Sequence, residues 1–170
     1  FETEALKAQS VAARTYACKA YQTGGKHADG SVCTQSTCCQ AYLPQKEYLL
    51  QGGTVENASK VRAAVEATSG YVLTYEGELI EATYFSCSGG STEDAAAVWG
   101  AEFPYLQAVE SPGEEDAAHF SDTFTFSPEA FQEALGVTLE GSPSGWFGAA
   151  SFTDGGGIES MDIGGKLYTG

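Results

Sequence analysis

The sequence has 170 residues, with 8 basic and 23 acidic side chains and a formal net charge of −15. A chain of this length can bury roughly 70% of the surface of its unfolded state, so it can form a core without disulfides. Nucleic-acid binding needs clusters of Lys and Arg, which this sequence lacks, and the same charge disfavours anionic lipid. No apolar stretch approaches the roughly 20 residues of a membrane-spanning helix.

The two ends predict a domain cut from a longer chain. The sequence begins with Phe1 rather than Met, and no signal or transit peptide is recognisable. Near the other end, Gly164 and Gly165 predict a hairpin turn that leads into a strand missing from the sequence. We therefore expect residues 1–170 to form one domain, truncated at both ends.

Two helices are predicted in the first 70 residues. Residues 3–21 are rich in Ala, Leu, Lys, Gln and Arg, which favour a helix with Thr3 as N-cap and Gly24 at its end. Residues 58–68 predict a second helix, with Asn57 as N-cap and a glycine shortly beyond its end.

A β-hairpin follows the second predicted helix. Residues 71–75 form one strand, Glu76 and Gly77 the tight turn, and residues 78–86 the returning strand. Because side chains alternate along a strand, one face of the returning strand is predicted to carry Ile80, Ala82, Tyr84 and Ser86.

The second half of the chain has weaker periodicity. Residues 87–127 are predicted to be irregular, Ser127 and Pro128 to open a third helix that ends near Leu135, and residues 144–170 to be strand-like. The mixture indicates an α+β fold, in which an N-terminal helix packs with antiparallel hairpins and further short helices around a cleft.

Three segments carry a family resemblance. They are EALKAQSVAARTYA at residues 4–17, AVEATSGYVLTY at 64–75 and EATYFSCSGGST at 81–92. In sequence, order and spacing they resemble the signatures of the stage II sporulation protein D family. Residues 93–170 fit more loosely, through Trp99-Gly100 and Pro104-Tyr105-Leu106.

The resemblance implies a bacterial cell-wall enzyme of spore formers, a lytic transglycosylase that cuts the glycan strands of peptidoglycan. Members strip the septal wall during engulfment, after an amidase has removed the stem peptides. The implied partners are therefore glycan strands, a cell-wall amidase and membrane-anchored engulfment proteins. The implied location is extracytoplasmic, at the cell wall or septum, with a membrane anchor elsewhere in the full-length protein.

Glu4 is the candidate catalytic residue. One carboxyl group can protonate the departing glycosidic oxygen and then take the proton of the sugar's C6 hydroxyl as a 1,6-anhydro ring closes. The family's essential acid occupies this place in the motif, and partial burial would favour its protonated form. The alternative is a solvated Glu that complements the helix macrodipole.

Lys7, Gln9 and Arg14 are candidate substrate-binding residues on the same helix. At about 100° per residue, Lys7 and Arg14 share the face of Glu4, whereas Gln9 lies about 140° away. Cations that touched the acid would favour its ionised form, so we expect Lys7 and Arg14 to bind sugar or to order neighbouring loops. The alternative for all three is ordinary helix surface.

A second set of candidate substrate-binding residues comes from the third segment. Tyr84 and Ser86 lie beside a Gly-Gly turn, where the backbone can approach a ligand closely, and are expected to line one concave surface with Glu4. Ser88 and Thr92 complete the set. The alternative is an edge strand that ends in a turn. A His common in the family is replaced here by Phe85, so its contribution is absent.

Four potential metal ligands fall within thirteen residues, spaced H-x5-C-x4-C-C. The set is His27, Cys33, Cys38 and Cys39, and His with three Cys is a closed structural zinc set. Some family members carry H-x5-C-x4-H-C here as a zinc site. We expect structural zinc and no cofactor for the chemistry. The alternative is a disulfide, while Cys18 and Cys87 are expected to be buried thiols.

Two other functions stay open. One is a non-catalytic wall-binding module that enhances a partner amidase, although the retained Glu4 favours the enzyme. The other is a cysteine hydrolase that uses Cys87 with His27 or His119 as base. We expect His119 and the acidic run at residues 114–116 to be solvent-exposed. The acidic chain suits naked glycan better than wall with anionic stem peptides.

Overall fold

The computed structural model describes residues 1–29, 31–117 and 120–170, which form two compact units, Phe1–Tyr84 and Phe85–Gly170. Helices and two small antiparallel sheets in the described residues confirm the α+β class. Whether residues 1–170 act as one domain with a cleft stays a prediction. None of the helices in the described part of the chain is long and apolar enough to cross a membrane.

The first unit is built from three helices and a short hairpin. In chain order, its elements are α1 (Thr3–Thr23), α2 (Gln45–Leu50), α3 (Val55–Ala67), β1 (Thr74–Tyr75) and β2 (Glu78–Leu79).

The N-cap residues of α1 and α3 differ from the predicted ones. α1 ends at Gly24, whose φ of 86° suits glycine, but its N-cap is Glu2, so Thr3 lies inside the helix. α3 begins three residues earlier than predicted because the Thr54 hydroxyl accepts the N–H of Asn57 at 3.1 Å. Thr54 is therefore the cap, and Asn57 is a helical residue. α2 was not predicted.

The hairpin is shorter than predicted. β1 and β2 pair through the tight turn at Glu76 and Gly77, whose φ values are 51° and 87°. Regular pairing ends after β2, and the N–H of Thr83 bonds back to the carbonyl of Glu81 at 3.0 Å. This local turn breaks the strict alternation, so the predicted strand face through residues 80–86 is wrong.

Small residues form the core of the first unit, where α1 packs on α3. Thr15 is fully buried, and Ala64 and Ala82 are 1% and 4% exposed. The Thr15 hydroxyl donates to the carbonyl of Val11 at 2.7 Å and accepts the N–H of Leu73 at 2.9 Å. One side chain thereby joins α1 to the segment that leads into β1.

Arg14 closes the carboxyl end of α3. Its guanidinium donates to the carbonyls of Thr68 at 2.7 Å and Tyr71 at 2.9 Å, and more weakly to Val65 at 3.3 Å. Val65 lies in the last turn of α3, Thr68 is its C-cap and Tyr71 follows the helix, so the guanidinium places a cation at the negative end of the helix dipole. Arg14 therefore orders a neighbouring loop, one of its two expected roles.

The second unit is built around a three-stranded antiparallel sheet. Its elements are α4 (Ala95–Trp99), α5 (Pro128–Leu135), a 3-10 turn (Pro143–Gly145), β3 (Phe147–Phe152), β4 (Ile158–Ile163) and β5 (Lys166–Thr169), with the strands in the order β3-β4-β5.

Two predictions for the second unit are confirmed and two need correction. The Ser127 hydroxyl caps α5 through the N–H of Ala130 at 3.2 Å, as predicted. The tail is strand-like, but the strand expected to be missing after Gly164 and Gly165 is present as β5. α4 lies in the stretch predicted to be irregular, where Asp94 caps it. The core here includes Trp146, 5% exposed, whose ring stacks on Phe131 of α5.

We predict that Thr15→Val lowers the free energy of unfolding by about 1–3 kcal/mol, because the isosteric side chain leaves the N–H of Leu73 without an acceptor. Urea denaturation measures the loss. Thr23→Val is the matched control, since Thr23 makes the same bond one turn back, to Lys19 at 3.0 Å, but is exposed. Equal losses in the two variants would contradict the assignment.

Candidate functional site

The predicted metal ligands converge after α1. The ligand atoms of His27, Cys33, Cys38 and Cys39 all lie within 4.8 Å of one another. His27 Nε2 is 3.7 Å from Cys38 Sγ and 3.5 Å from Cys39 Sγ, and these sulfurs are 3.8 Å apart. Tetrahedral zinc with ordinary bond lengths separates two sulfurs by about 3.8 Å and sulfur from nitrogen by about 3.5 Å. The four residues therefore fit a zinc ion.

The thiols are not joined to one another. All five cysteines are free, and a disulfide would bring two sulfurs to about 2.05 Å. The disulfide alternative for the cluster is therefore not the arrangement found. Cys18 and Cys87 are half-buried.

A tight turn presents the two adjacent thiols. The N–H groups of Cys38 and Cys39 both donate to the carbonyl of Gln35, at 3.1 and 2.9 Å. The N–H of Gln40 donates to the carbonyl of Cys33 at 3.3 Å, which closes the loop. The Lys26 ammonium donates to the carbonyl of Cys38, so a cation lies beside the backbone of this turn.

Hydrogen bonds lower the pKa of two of the three thiols and raise the pKa of the third. The N–H of Gln35 lowers the pKa of Cys33, and the N–H of Cys33 lowers the pKa of Cys39. Hydrogen bonds from Cys38 to Cys33 and then to Cys39 raise its pKa to about 11. Three thiolates so close repel one another unless a cation lies between them, and a divalent metal ion would supply that charge.

Glu4 lies in the first turn of α1. Its side chain is 82% exposed, and Lys7 Nζ is 2.7 Å from Glu4 Oε1. Two expectations are therefore wrong for the chain as it stands, because Glu4 is not partly buried and Lys7 does touch it. The reason is helical spacing, which places side chains three residues apart in contact.

Gln9 is joined to Tyr84 rather than to Glu4. The Tyr84 hydroxyl donates to Gln40 Oε1 at 2.8 Å and also bonds with the Gln9 side chain. Burial raises the pKa of Tyr84, and the Gln9 bond partly offsets this rise. The structure thus brings together two predicted substrate-binding residues, Gln9 and Tyr84. It adds Gln40, which was not predicted, because the sequence marks this residue only by its position after Cys39.

The hydroxyls predicted in the second unit serve its loops. Ser88 donates its N–H to Glu114 Oε2 at 2.9 Å and its hydroxyl to the same oxygen. Thr92 Oγ1 accepts the N–H of Val109 at 2.9 Å and donates to the carbonyl of Gln107 at 3.2 Å. Ser86 is exposed, which leaves its hydroxyl open to solvent.

Glu114 is a second residue that the sequence analysis missed. It was predicted to be solvated, but its carboxylate also accepts the N–H of Gly90 at 3.0 Å. The Ser88 hydroxyl and the N–H of Gly90 lower the pKa of Glu114 to about 2. Gly89 and Gly90 have φ values of 83° and 106°, which let the backbone form this pocket for a carboxylate.

The contacts disfavour a cysteine hydrolase. Cys87 Sγ lies 3.9 Å from Glu114 Oε2, a carboxylate rather than an imidazole. His27 directs Nε2 to the thiols of the metal cluster. His119 lies outside the described residues.

Comparison with known proteins finds relatives of this chain. The model of the family described as "Stage II sporulation protein" matches residues 1–75. The chain is 38% identical to "Stage II sporulation protein D" of Bacillus subtilis (strain 168) over 146 residues, 84% of the chain and 43% of that protein. The protein of the same name from Bacillus amyloliquefaciens is 38% identical over 145 residues, 83% of the chain and 42% of that protein.

A longer protein is also similar. The "Amidase enhancer" of Bacillus subtilis (strain 168) is 36% identical over 152 residues, 89% of the chain but 18% of that protein. The chain spans about two fifths of the length of the two sporulation proteins.

We predict that the chain binds one zinc ion and that a chelator lowers its unfolding temperature, because the thiolates lose the cation that offsets their repulsion. Metal analysis and thermal unfolding measure both effects, and X-ray absorption should report three sulfurs and one nitrogen. Cys38→Ser should weaken zinc binding, whereas Cys18→Ser, the control, should not. A chain with reduced thiols that takes up no zinc would contradict the site, and a bound water ligand would make the metal a candidate for catalysis.

We predict that the hydrogen bonds from Ser88 and Gly90 to the Glu114 carboxylate stabilise the fold less in acid. Because the folded pKa of about 2 lies below the ordinary 4.5, the stabilisation is complete above about pH 4.5 and is lost as the pH falls through about 2. Between about pH 5 and pH 3, the melting temperature of the wild type should fall more than that of Glu114→Gln. Glu115→Gln, which alters an exposed neighbour, should behave like the wild type.

Proposed function

Because the chain belongs to the stage II sporulation protein D family, we propose that it is a lytic transglycosylase that cleaves denuded peptidoglycan strands to 1,6-anhydro products. Family membership and the amidase-enhancer relative support a cell-wall role in sporulation. The observation that carries the enzymatic proposal is Glu4, an exposed carboxylate in the first turn of α1 and inside the matched residues.

The proposed reaction uses the Glu4 carboxyl group twice. As an acid, it delivers its proton to the glycosidic oxygen while the bond from that oxygen to C1 breaks. As a base, the resulting carboxylate takes the proton of the C6 hydroxyl while this oxygen bonds to C1. The proton returns to the carboxyl group, and no water is consumed. An exposed side chain suits this reaction because the substrate is a polymer that must approach from solvent.

Lys7 is proposed to respond to substrate. In the chain alone its ammonium pairs with Glu4 at 2.7 Å, so a substrate that uses this carboxyl group must displace Lys7 from it. Muramic acid residues of denuded glycan carry lactyl carboxylates, which can pair with the same ammonium. Transfer of Lys7 from Glu4 to the glycan would leave the Glu4 carboxyl group free to contact the glycosidic oxygen.

The remaining site residues are assigned by their contacts. Tyr84 and Gln9 offer an aromatic face and an amide to a sugar, and the exposed Ser86 offers a hydroxyl. Arg14, Ser88 and Thr92 already hold local structure, so sugar contact from them is a weaker proposal. Zinc is proposed as structural, since His27 and three cysteines fill a tetrahedron, and no chemical step passes through it.

Charge and similarity support the wider setting. The net charge of −15 should repel wall with anionic stem peptides more than naked glycan. We propose that the protein acts outside the cytoplasm at the cell wall or septum, after an amidase has removed the stem peptides, and together with membrane-anchored engulfment proteins.

The second candidate function is enhancement of an amidase without glycan cleavage. The observation in its favour is the 36% identity to the "Amidase enhancer". The two functions differ in their products, since an enhancer leaves the glycan uncut and raises the release of stem peptides by its partner.

We predict that wild-type chain releases 1,6-anhydro ends from denuded glycan and that Glu4→Gln abolishes the release, because an amide cannot deliver a proton. Mass spectrometry of the products makes the measurement, and Glu4→Ala should be equally inactive with an unchanged unfolding temperature. Glu2→Gln is the control, an exposed acid at the same helix end, and should stay active.

Three results would overturn or redirect the proposal. Wild-type rates from Glu4→Gln would remove Glu4 as the catalytic residue. Reducing ends would indicate hydrolysis instead of transglycosylation. Uncut glycan with a stimulated amidase would support the enhancer.

A further inference from the structure

Gln40 connects the loop that carries the four candidate metal ligands, here called the metal loop, to helix α1 and to Tyr84. Its amide Nε2 donates to the carbonyl of Ala13 at 3.0 Å, and its Oε1 accepts the hydroxyl of Tyr84 at 2.8 Å. Both ends of the amide are engaged, so its orientation is determined by its partners. Gln40 directly follows the ligand Cys39, and its N–H closes the loop onto Cys33 at 3.3 Å.

The residues that receive these bonds lie along one stripe of α1. Gln9, Ala13 and Tyr16 are spaced four and three residues apart and therefore share a helix face. Gln9 bonds with Tyr84, Ala13 accepts from Gln40, and the Tyr16 side chain bonds with Cys39. The metal loop and Tyr84 thus meet the same stripe at neighbouring positions.

Tyr84 needs such support because local structure does not hold it. It follows the turn at Thr83, outside any strand, and the residue is 41% exposed. Water competes for a half-exposed hydroxyl, so a rigid acceptor is required to keep the ring in one orientation. Gln40 is held by the carbonyl of Ala13 and by the loop that carries it, and four ligands on one ion would make this loop rigid.

We propose that Gln40 is a positioning residue through which the metal-held loop keeps Tyr84 beside Gln9 for binding of the glycan. This inference rests on the proposed function, because it assigns Tyr84 to the substrate. It gives the metal site an effect on substrate binding without any contact between metal and substrate.

Steady-state kinetics on denuded glycan provide the first test. Gln40→Met keeps the length of the side chain but removes both hydrogen bonds. It should raise KM roughly two- to ten-fold, as expected for the loss of about one hydrogen bond, with kcat nearly unchanged and zinc retained. Tyr84→Phe should raise KM similarly, and the double variant should be no worse than Tyr84→Phe alone.

The matched control is Gln45→Met. Gln45 also makes a long-range side-chain bond, from Arg62 at 2.6 Å, but has no contact with Tyr84 in the described structure. It should lose stability and keep its KM. Multiplicative effects of Gln40→Met and Tyr84→Phe on KM, or an unchanged KM in Gln40→Met, would overturn the inference.

Nuclear magnetic resonance separates this inference from the proposed function. In protein labelled with ¹³C-tyrosine, the Tyr84 signal is the one that Tyr84→Phe lacks. Chelation should shift this signal in the wild type but not in Gln40→Met. If the chelated wild type unfolds, the comparison is made with zinc bound, where the signal of Gln40→Met should differ from that of the wild type. A signal insensitive to Gln40→Met overturns the inference although glycan is cleaved. A shifted signal in a chain that neither binds nor cleaves glycan supports the positioning and removes the proposed function.

Discussion

The bonds from Arg14 to the carboxyl end of α3 are the constraint on which the first unit depends. They hold α1 against α3 at the point where the buried hydroxyl of Thr15 takes the N–H of Leu73. Neither residue can be replaced by a merely similar one, because the guanidinium reaches several carbonyls at once and the hydroxyl both donates and accepts. With α1 held there, its first turn, with Glu4, stays exposed.

This attachment divides the surface of α1 among three tasks. Arg14 and Thr15 hold the end of α3 and the segment that leads into β1, Gln9 and Ala13 lie on the stripe that receives Tyr84 and the metal loop, and Glu4 is left to solvent. A helix of 21 residues can do this because side chains only a few positions apart point in different directions. The sequence motif is therefore long because each part of the helix serves a separate contact.

An acidic chain with few cations must use its charges locally. Lys19 bonds to the carbonyl of Leu79 at 2.9 Å and lies 3.2 Å from Glu81, so a further cation of α1 holds structure. In the second unit the roles are reversed, because backbone N–H groups beside Gly89 and Gly90 hold the carboxylate of Glu114. Glycine and backbone dipoles there replace the Lys or Arg that a carboxylate usually meets.

The sequence by itself determined the family, the α+β class, most of α1 and α5, the hairpin turn and the metal cluster, because these depend on local patterns. A helix follows from composition and caps, and a tight turn follows from Glu76 and Gly77. Four ligands within thirteen residues are kept close together by the short segment that carries them. Only the tertiary structure decided which polar groups meet across distance. Arg14 meets the carbonyl of Thr68 from 54 residues away, the Tyr84 hydroxyl meets Gln40 from 44 residues away, and Glu114 meets Ser88 from 26 residues away. Such pairings depend on how the elements pack, and a single side chain carries no periodic signal of its partner.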